Sequence, residues 1–494
     1  MTKLFFLFLL ISFAPCLVIA TEVLDYRTVD DLTYRFYTEQ KWDSVIVIGK
    51  KALRQDIDYY YLRVRMGISY FEKQEYFTAI THLKKARNFN SGDPFVTDYL
   101  YRSYLYSNQN EEARLLKAKM SKETSKTPDS KIGFAEQIRF EGGYTLSSDR
   151  SPDNLSDLMG NDSIYGEQDL YGNNLYCNLE LKLRISKRVG FSLAYNYLNF
   201  NKTKYIQYGR NEAQLDTIID NPFSKDYFYS YPWKIYDTSF GYNVKQNEGY
   251  VGASILLPFG IRATPSIHLI HVSYSAINTG FRIDSISDTA YYSKIDSNYH
   301  MFKYPSVEYS FDRKDTSFNN WVVYLGLSKN LGNFNIGLSG SWSNLNNKKQ
   351  IQAGASLTYY PLGNLNLYGT TTITGFFQKK DNRLLLSQII GGKITPWMWL
   401  EGDFYWGDYT NANIYNGSVV YNNTDIIGYR IGANLVFTVG KHLQLSLIYQ
   451  YFRKESQQLY YTTDPATNEI NDIPQIKNNP YNTNTIIGGI TWKL

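Results

Sequence analysis

Long apolar runs are almost absent from this 494-residue chain. Beyond the first 20 residues no stretch stays apolar over the roughly 20 residues that a spanning helix needs. A helical membrane protein is therefore excluded. Cysteine is nearly missing too, with only two residues, Cys16 and Cys177, which excludes a disulfide scaffold and paired-cysteine metal motifs. Histidine is scarce: the five are His82, His268, His271, His300 and His442. Only His268 and His271 share a predicted strand, and their spacing of three points them to opposite faces, so no joint metal site is expected. His271 with Ser273 or Ser275 is a strand neighbourhood rather than a triad. No phosphate-cradling glycine loop is present. No enzymatic activity, cofactor or metal is expected. Charge of either sign is barely in excess, at a net +5. That is small for this length and gives no argument for a nucleic-acid partner.

What the chain has in abundance is aromatic residues. The 46 tyrosines, 27 phenylalanines and 8 tryptophans make up 16% of it, which suits the interfacial girdles of an outer-membrane barrel. The N-terminus reads as a signal peptide over residues 1–20: Lys3 supplies the positive start, residues 4–18 are apolar, and Val18-Ile19-Ala20 gives the small-residue spacing for cleavage before Thr21. Pro15 directly before Cys16 argues against lipid attachment there. Cleavage leaves Cys177 alone, a packing residue among apolar neighbours.

Residues 21–127 carry an internal repeat. Phe36, Tyr70 and Tyr104 fall in one column at a shift of 34 residues, as do Val45, Ala79 and Ala113, and then Ala52, Ala86 and Met120. The middle copy runs Gly67-Ile68-Ser69-Tyr70, then Tyr76, Ala79, Leu83 and Ala86, with Pro94 opening the next. On these residues the segment resembles the tetratricopeptide family, whose helix pairs place a small residue at the crossing and stack into an array. Thr33 and Tyr101 stand where the family prefers glycine, and Gly49 replaces the large apolar residue seen as Leu83. The resemblance implies three helix pairs with a concave surface for a periplasmic protein partner. Lys51, Lys85 and Lys119 share a register and read as a solvated face.

From residue 128 onward the period changes to two. Cys177, Leu179, Leu181 and Leu183 alternate with Asn178, Glu180, Lys182 and Arg184, and Leu400, Gly402, Phe404 and Trp406 alternate with Glu401, Asp403 and Tyr405. The same holds over residues 429–437 and 443–452. Runs near ten residues with a polar second face fit a transmembrane barrel better than a soluble sandwich. Short turns are expected at residues 187–190, 258–265, 330–333, 361–364, 395–396 and 439–442, and longer outer loops at 148–170, 202–247, 278–318, 345–349, 379–382, 408–426 and 455–481. Their alternation predicts about 14 antiparallel strands, with 16 as the alternative because residues 235–244 and 304–311 also alternate. At the C-terminus Ile486, Gly488, Ile490, Trp492 and Leu494 share one face. That resembles the closing strand of outer-membrane barrels, with Leu494 where an aromatic residue is usual.

The expected fold is thus α+β and multidomain: an all-α tetratricopeptide-like array over residues 21–127, a break near 125–130, and a transmembrane antiparallel β-barrel over 128–494. The array belongs in the periplasm and the barrel in the outer membrane of a Gram-negative bacterium, in contact with its lipid. The pairing resembles exporters of extracellular polysaccharide, which implies a conduit for a glycan. A diffusion porin for small solutes and a non-conducting anchor that recruits a periplasmic partner remain open beside it. Alternation nominates Arg139, Glu141, Glu180, Lys182, Arg184, Lys393, Glu401, Asp403 and Arg430 as pore-lining residues. Their mixed signs suit a neutral or zwitterionic glycan, or simply charges that pair across a wet lumen. Tyr227, Phe228, Tyr229, Tyr231, Trp233 and Tyr236 form an aromatic group in the 202–247 loop that could stack on sugars or pack over the barrel mouth.

Overall fold

The computed structural model describes residues 23–494 apart from 119, 121–133, 149–162, 212–213, 222–223, 231, 294–297, 380 and 463–473. The expected signal peptide and the break near 125–130 lie outside the described residues. The chain divides into two compact units, Met1–Leu105 and Tyr106–Leu494.

In the first unit the helices are α1 (Tyr26–Thr38), α2 (Trp42–Arg54), α3 (Tyr60–Glu72), α4 (Tyr76–Phe89) and α5 (Pro94–Tyr106). Their starts carry the repeat into space: Tyr26, Tyr60 and Pro94 are 34 residues apart, as are Trp42 and Tyr76. Asp25 caps α1 by accepting from the Thr28 amide at 2.7 Å. Val45, Ala52, Leu62, Met66, Leu83 and Ala86 form a closed apolar seam. Two of the three departures from the repeat pattern, Gly49 and Thr33, have local reasons. A Cβ on Gly49 would strike the Met66 thioether, so the large residue is on the facing helix instead. Thr33 is fully buried, its hydroxyl donating to the Val29 carbonyl at 2.7 Å and accepting from Arg65 at 2.9 Å.

The second unit opens with α6 (Asn110–Lys117) and continues as β1 (Ala135–Ser147), β2 (Ser163–Arg184), β3 (Val189–Asn211), β4 (Gln214–Asn221), β5 (Ser224–Ser230), β6 (Trp233–Leu256), β7 (Ile261–Ser293), β8 (Asn298–Leu331) and β9 (Phe334–Ser343). After these come β10 (Gln350–Tyr359), β11 (Leu367–Gln378), β12 (Asp381–Thr395), β13 (Met398–Trp406), β14 (Asn413–Ile414), β15 (Val419–Val420), β16 (Ile426–Val439), β17 (Leu443–Thr462) and β18 (Gln475–Lys493). Fourteen of them close an antiparallel barrel in the order β1-β18-β17-β16-β13-β12-β11-β10-β9-β8-β7-β6-β3-β2. β4 with β5 and β14 with β15 form separate two-stranded ribbons. The C-terminal strand closes the ring, from Gln137↔Lys493 to Ser147↔Thr483.

The register puts apolar side chains outward. On β9, Phe334, Ile336, Leu338 and Trp342 are exposed while Ser341 and Ser343 are buried inside. In a water-soluble protein such a belt would be unstable; against lipid it is required. Aromatic rings border it. Phe334 stacks on Tyr359 and Trp397 on Phe437 near the short turns, and Trp321 meets Trp342 edge-on at the other margin. The nine residues from Phe334 to Trp342 rise about 20 Å once strand tilt is allowed for, close to the expected height of a lipid-facing band. The barrel is of the outer-membrane kind, with short turns on the periplasmic side.

Several expected loops are strand instead. Residues 202–211 and 233–247 continue β3 and β6, 278–293 and 298–318 continue β7 and β8, and 455–462 and 475–481 continue β17 and β18. Above the lipid both strand faces meet polar surroundings, so the apolar period fades while the hydrogen-bond ladder goes on. The alternation at 235–244 and 304–311 belongs to these extensions, which removes the case for 16 strands. Pro265, expected in a turn, sits inside β7 opposite Leu325.

Candidate functional site: the barrel lumen and its inward-folded loop

The nominated charges hold inward register positions, and most of them pair. At the periplasmic end Arg139 lies 3.3 Å from both Glu141 and Glu180, and Lys182 is 3.7 Å from Glu180. Arg184 approaches Glu136 at 3.9 Å. Helix α6 joins the same end: Arg114 is 2.7 Å from Glu136, while Glu111 and Glu112 reach Arg262 on β7 at 2.8 and 3.4 Å. It therefore bridges β1 to β7, which are separated by β2, β3 and β6 along the wall. Lys393 holds an inward register position beside Trp399 but its side chain is exposed. Glu401 accepts from the Tyr368 hydroxyl.

The expected outer loop at 408–426 runs the other way, into the lumen. Its core is a small hairpin in which Asn413 pairs with Val420 and Ile414 with Val419, turning through Tyr415, Asn416, Gly417 and Ser418. Tyr415, Asn416 and Gly417 have φ of 51°, 59° and 77°. Three successive left-handed residues, one of them a bulky tyrosine, are strained and persist only where the surroundings hold them.

The surroundings do hold them. The turn crosses the barrel to the opposite wall, where the Ser266 hydroxyl donates to the Asn416 carbonyl at 2.6 Å and the Tyr324 hydroxyl to its side-chain oxygen at 3.1 Å. His268 Nδ1 lies 2.9 Å from the Gly417 carbonyl oxygen and its Nε2 lies 3.1 Å from Glu248, whose carboxylate also accepts from Asn196 at 2.7 Å and Gln246 at 2.5 Å. His268 is fully buried. Midway along, Gln352 donates to the Asn413 carbonyl at 3.1 Å and accepts from its amide at 2.9 Å, and Asn422 donates to Asn320 at 3.0 Å.

At the root Arg430 organises the attachment. Its guanidinium pairs with Asp403 at 2.5 Å and donates to the hydroxyls of Tyr421 at 2.9 Å and Tyr415 at 3.3 Å, lying 4.0 Å from the centre of the Tyr405 ring. Tyr409, Ala412, Ile414 and Tyr421 pack with Phe376, Leu385, Ile427 and Phe452 on one wall. Val420 packs with Ile270, Val272, Val322 and Leu345 on the other. The hairpin is thus wedged between apolar patches on both sides and tied by polar side chains at both ends.

Nearer the cell surface a second layer fills the interior. β2 pairs there with β17, Gln458 opposite Gln168. Ile164, Tyr165 and Ile206 form a cluster with Tyr208, Phe240, Tyr309, Phe311 and Tyr461. The Tyr309 hydroxyl meets the Ile164 and Gly209 carbonyl oxygens at 3.0 and 2.9 Å, tying β8 to β2 and β3.

Of the nominated loop aromatics, Tyr227, Phe228 and Tyr229 lie on strand β5 rather than in a loop, their side chains outside the described residues, as is the whole of Tyr231. Trp233 opens β6 opposite Asn211 and is exposed. Tyr236 stacks on Tyr208 at 5.7 Å beneath Arg210, so at this position the packing reading describes the ring. The hairpin itself escaped the sequence reading, although Asn416-Gly417 flanked by Ile414 and Val419-Val420 is a strong short hairpin signal. His268 and His271 do point to opposite faces, His271 outward to Asn319 at 2.8 Å. Among the described residues no cluster of three metal-ligating side chains occurs.

No protein-family model matches the sequence, and no curated protein does. Among solved structures the chain is similar to a Pseudomonas aeruginosa FadL homologue, at 9% identity and a TM-score of 0.37, over 72% of this chain and 90% of that one. It is also similar to the Acinetobacter baumannii outer membrane protein Omp33, at 9% identity and a TM-score of 0.30, over 74% and 100%. A third likeness is to the Ralstonia pickettii toluene transporter TbuX, at 8% identity and a TM-score of 0.29, over 74% and 90%. The barrel described above stands on this chain's own strand pairing.

Proposed function

We propose that the protein is a gated outer-membrane channel for small solutes, whose resting state is held shut by the 407–425 hairpin. The observation that carries this is the seat of the hairpin: a strained turn pinned to the far wall by uncharged hydroxyls and one histidine, bonds weak enough to exchange. A permanently solid interior has no need of a strained turn held by such contacts. Passage of a polysaccharide would require the hairpin, the outer aromatic layer and α6 all to move aside. Export therefore ranks below solute diffusion here, reversing the order suggested by the repeat-and-barrel resemblance. The helical repeats, read as tetratricopeptide-like, then serve to dock a periplasmic protein at the inner side of the membrane.

A Cβ on Gly417 would stand 3.3 Å from the Ser266 hydroxyl oxygen, close to the span across a disulfide. Gly417→Cys with Ser266→Cys, in a Cys177→Ser chain, should therefore lock the turn to the wall on oxidation. In liposome-swelling assays with small sugars the reduced variant, which has lost the Ser266 hydrogen bond and carries a side chain at the left-handed Gly417 position, is expected to admit solute and the oxidised variant to exclude it. Equal swelling in both states contradicts the gate. One feature favours the non-conducting anchor as a second reading: Arg430 and Asp403 form a nearly buried ion pair that rigidifies the hairpin root. On that reading neither state admits solute.

A further inference from the structure

The lumen holds two lysines that, among the described residues, make no ion pair. Along β17 the inward residues Phe452, Lys454 and Ser456 are all buried, and Lys454 is only 7% exposed. Its ammonium lies 4.7 Å from the centre of the Tyr171 ring and 5.1 Å from that of Phe452. Lys202, reaching inward from β3, places its ammonium 5.3 Å from the same Tyr171 ring. Among the described residues no carboxylate oxygen lies within 4.0 Å of either ammonium. The neighbouring lysine shows the contrast, since Lys204 is paired with Glu167 at 3.0 Å.

Carboxylates do face the same space, but their hydrogen bonds come from elsewhere. Asp425 accepts from the Tyr481 hydroxyl at 2.5 Å and from Thr424 at 3.3 Å, and Asp169 accepts from the Tyr242 hydroxyl at 2.9 Å. The acids are thus supplied with donors while the two ammoniums, with three N–H groups each, meet chiefly ring faces. Contact with an aromatic face offsets only part of the cost of taking an ammonium out of water. Asp425 attracts the Lys454 ammonium only from beyond 4.0 Å, and among the described residues neither ammonium has a charged acceptor oxygen in contact.

We infer that Lys202 and Lys454 form a binding site for a small organic oxyanion in the outer part of the lumen. Its carboxylate or phosphate head sits at the ammoniums and its flat or apolar body lies against Tyr171, Phe452 and Tyr481. Two of these rings stack, Tyr171 on Tyr481 at 6.3 Å, and Tyr171 also meets Phe200 at 5.6 Å. Phe452 also touches Tyr421 of the hairpin, at 6.2 Å between ring centres, so an occupant would lie against the hairpin root. The site does not depend on the gate, because binding is measurable whether or not the barrel conducts.

The test is calorimetric titration of the full-length protein in detergent with benzoate, with inorganic phosphate, and with neutral benzyl alcohol. Saturable binding of at least one anion is expected, and none of the alcohol. Lys454→Met and Lys202→Met should each weaken it tenfold or more, while Lys454→Arg keeps it, and so does Lys182→Met, which removes a lumen lysine already paired with Glu180. Resistance of each variant to cold detergent unfolding confirms that the barrel has formed. Benzoate binding without phosphate binding assigns a carboxylate, and the reverse assigns a phosphate. Absence of heat with both anions, or equal affinity in the two methionine variants, overturns the site.

Discussion

Removing two of the hydroxyls that hold the hairpin turn should open the lumen by a calculable amount. Ser266→Ala and Tyr324→Phe delete two neutral hydrogen bonds, of 2.6 and 3.1 Å, to Asn416 and disturb no charge. A bond of this kind contributes about 1 kcal/mol net, so the pair should weaken the closed state by about 2 kcal/mol. Asn416 is exposed and its carbonyl keeps the Tyr250 hydroxyl at 3.4 Å, so no penalty for a buried unpaired acceptor is added. Two kilocalories correspond to a shift of roughly 30-fold in the ratio of open to closed. The left-handed backbone at Tyr415 and Asn416 favours release once the bonds are gone. His268 still meets the Gly417 carbonyl oxygen, so opening remains partial rather than complete. Single-channel recordings in planar bilayers read the quantity directly as the fraction of time spent conducting. An open fraction equal to that of the unaltered protein, in a double variant that has folded, would refute the idea that these contacts hold the gate.

Three further outcomes follow from other parts of the structure. Leu338, outward on β9 and 62% exposed, faces lipid near the middle of the belt, so Leu338→Arg should destabilise the barrel by about 2–4 kcal/mol in denaturant titrations in lipid. Arg430→Met leaves Asp403 as an unpaired, nearly buried carboxylate, which should cost about 3–5 kcal/mol on the same assay and raise conductance, because two bonds to the hairpin go with it. In the helical unit, burial first and then the Arg63 guanidinium push His82 down to about 4, and Arg63 donates to its Nδ1 at 3.1 Å. A histidine held neutral in the fold binds fewer protons than in the unfolded chain, so helical stability is full above about pH 6.5 and falls as pH drops towards 4, by about 3 kcal/mol in all. Far-UV circular dichroism melts across that window should show the loss, and His82→Leu should flatten it.

The barrel was legible because lipid and lumen impose opposite demands on alternate residues. Leu179 against Glu180, or Ile431 against Arg430, announces both the strand and its faces, and the short turns at residues 187–190 and 439–442 mark their ends. Legibility failed where that contrast stops. Residues 278–318 lie beyond the lipid, and their mixed polarity read as loop although the ladder from Ile277↔Arg313 to Ser293↔Asn298 continues through them. Alternation names the charged residues of the inner faces one by one, but not their partners. Arg430 and Asp403 are neighbours across β13 and β16, and nothing local says that the same guanidinium also holds Tyr415 and Tyr421. Those contacts depend on a loop folding inward, and an inward loop differs from an outward one only in the company its apolar residues find. Ile414, Val419 and Val420 beside an Asn-Gly turn were that signal.

Conductance of a chain in which residues 411–423 are replaced by a short Gly-Ser linker tests the central claim most directly. If the hairpin closes the lumen, the shortened protein forms stable, long-lived channels in planar bilayers where the intact protein is mostly silent. A correctly folded shortened barrel as silent as the intact one would contradict the account.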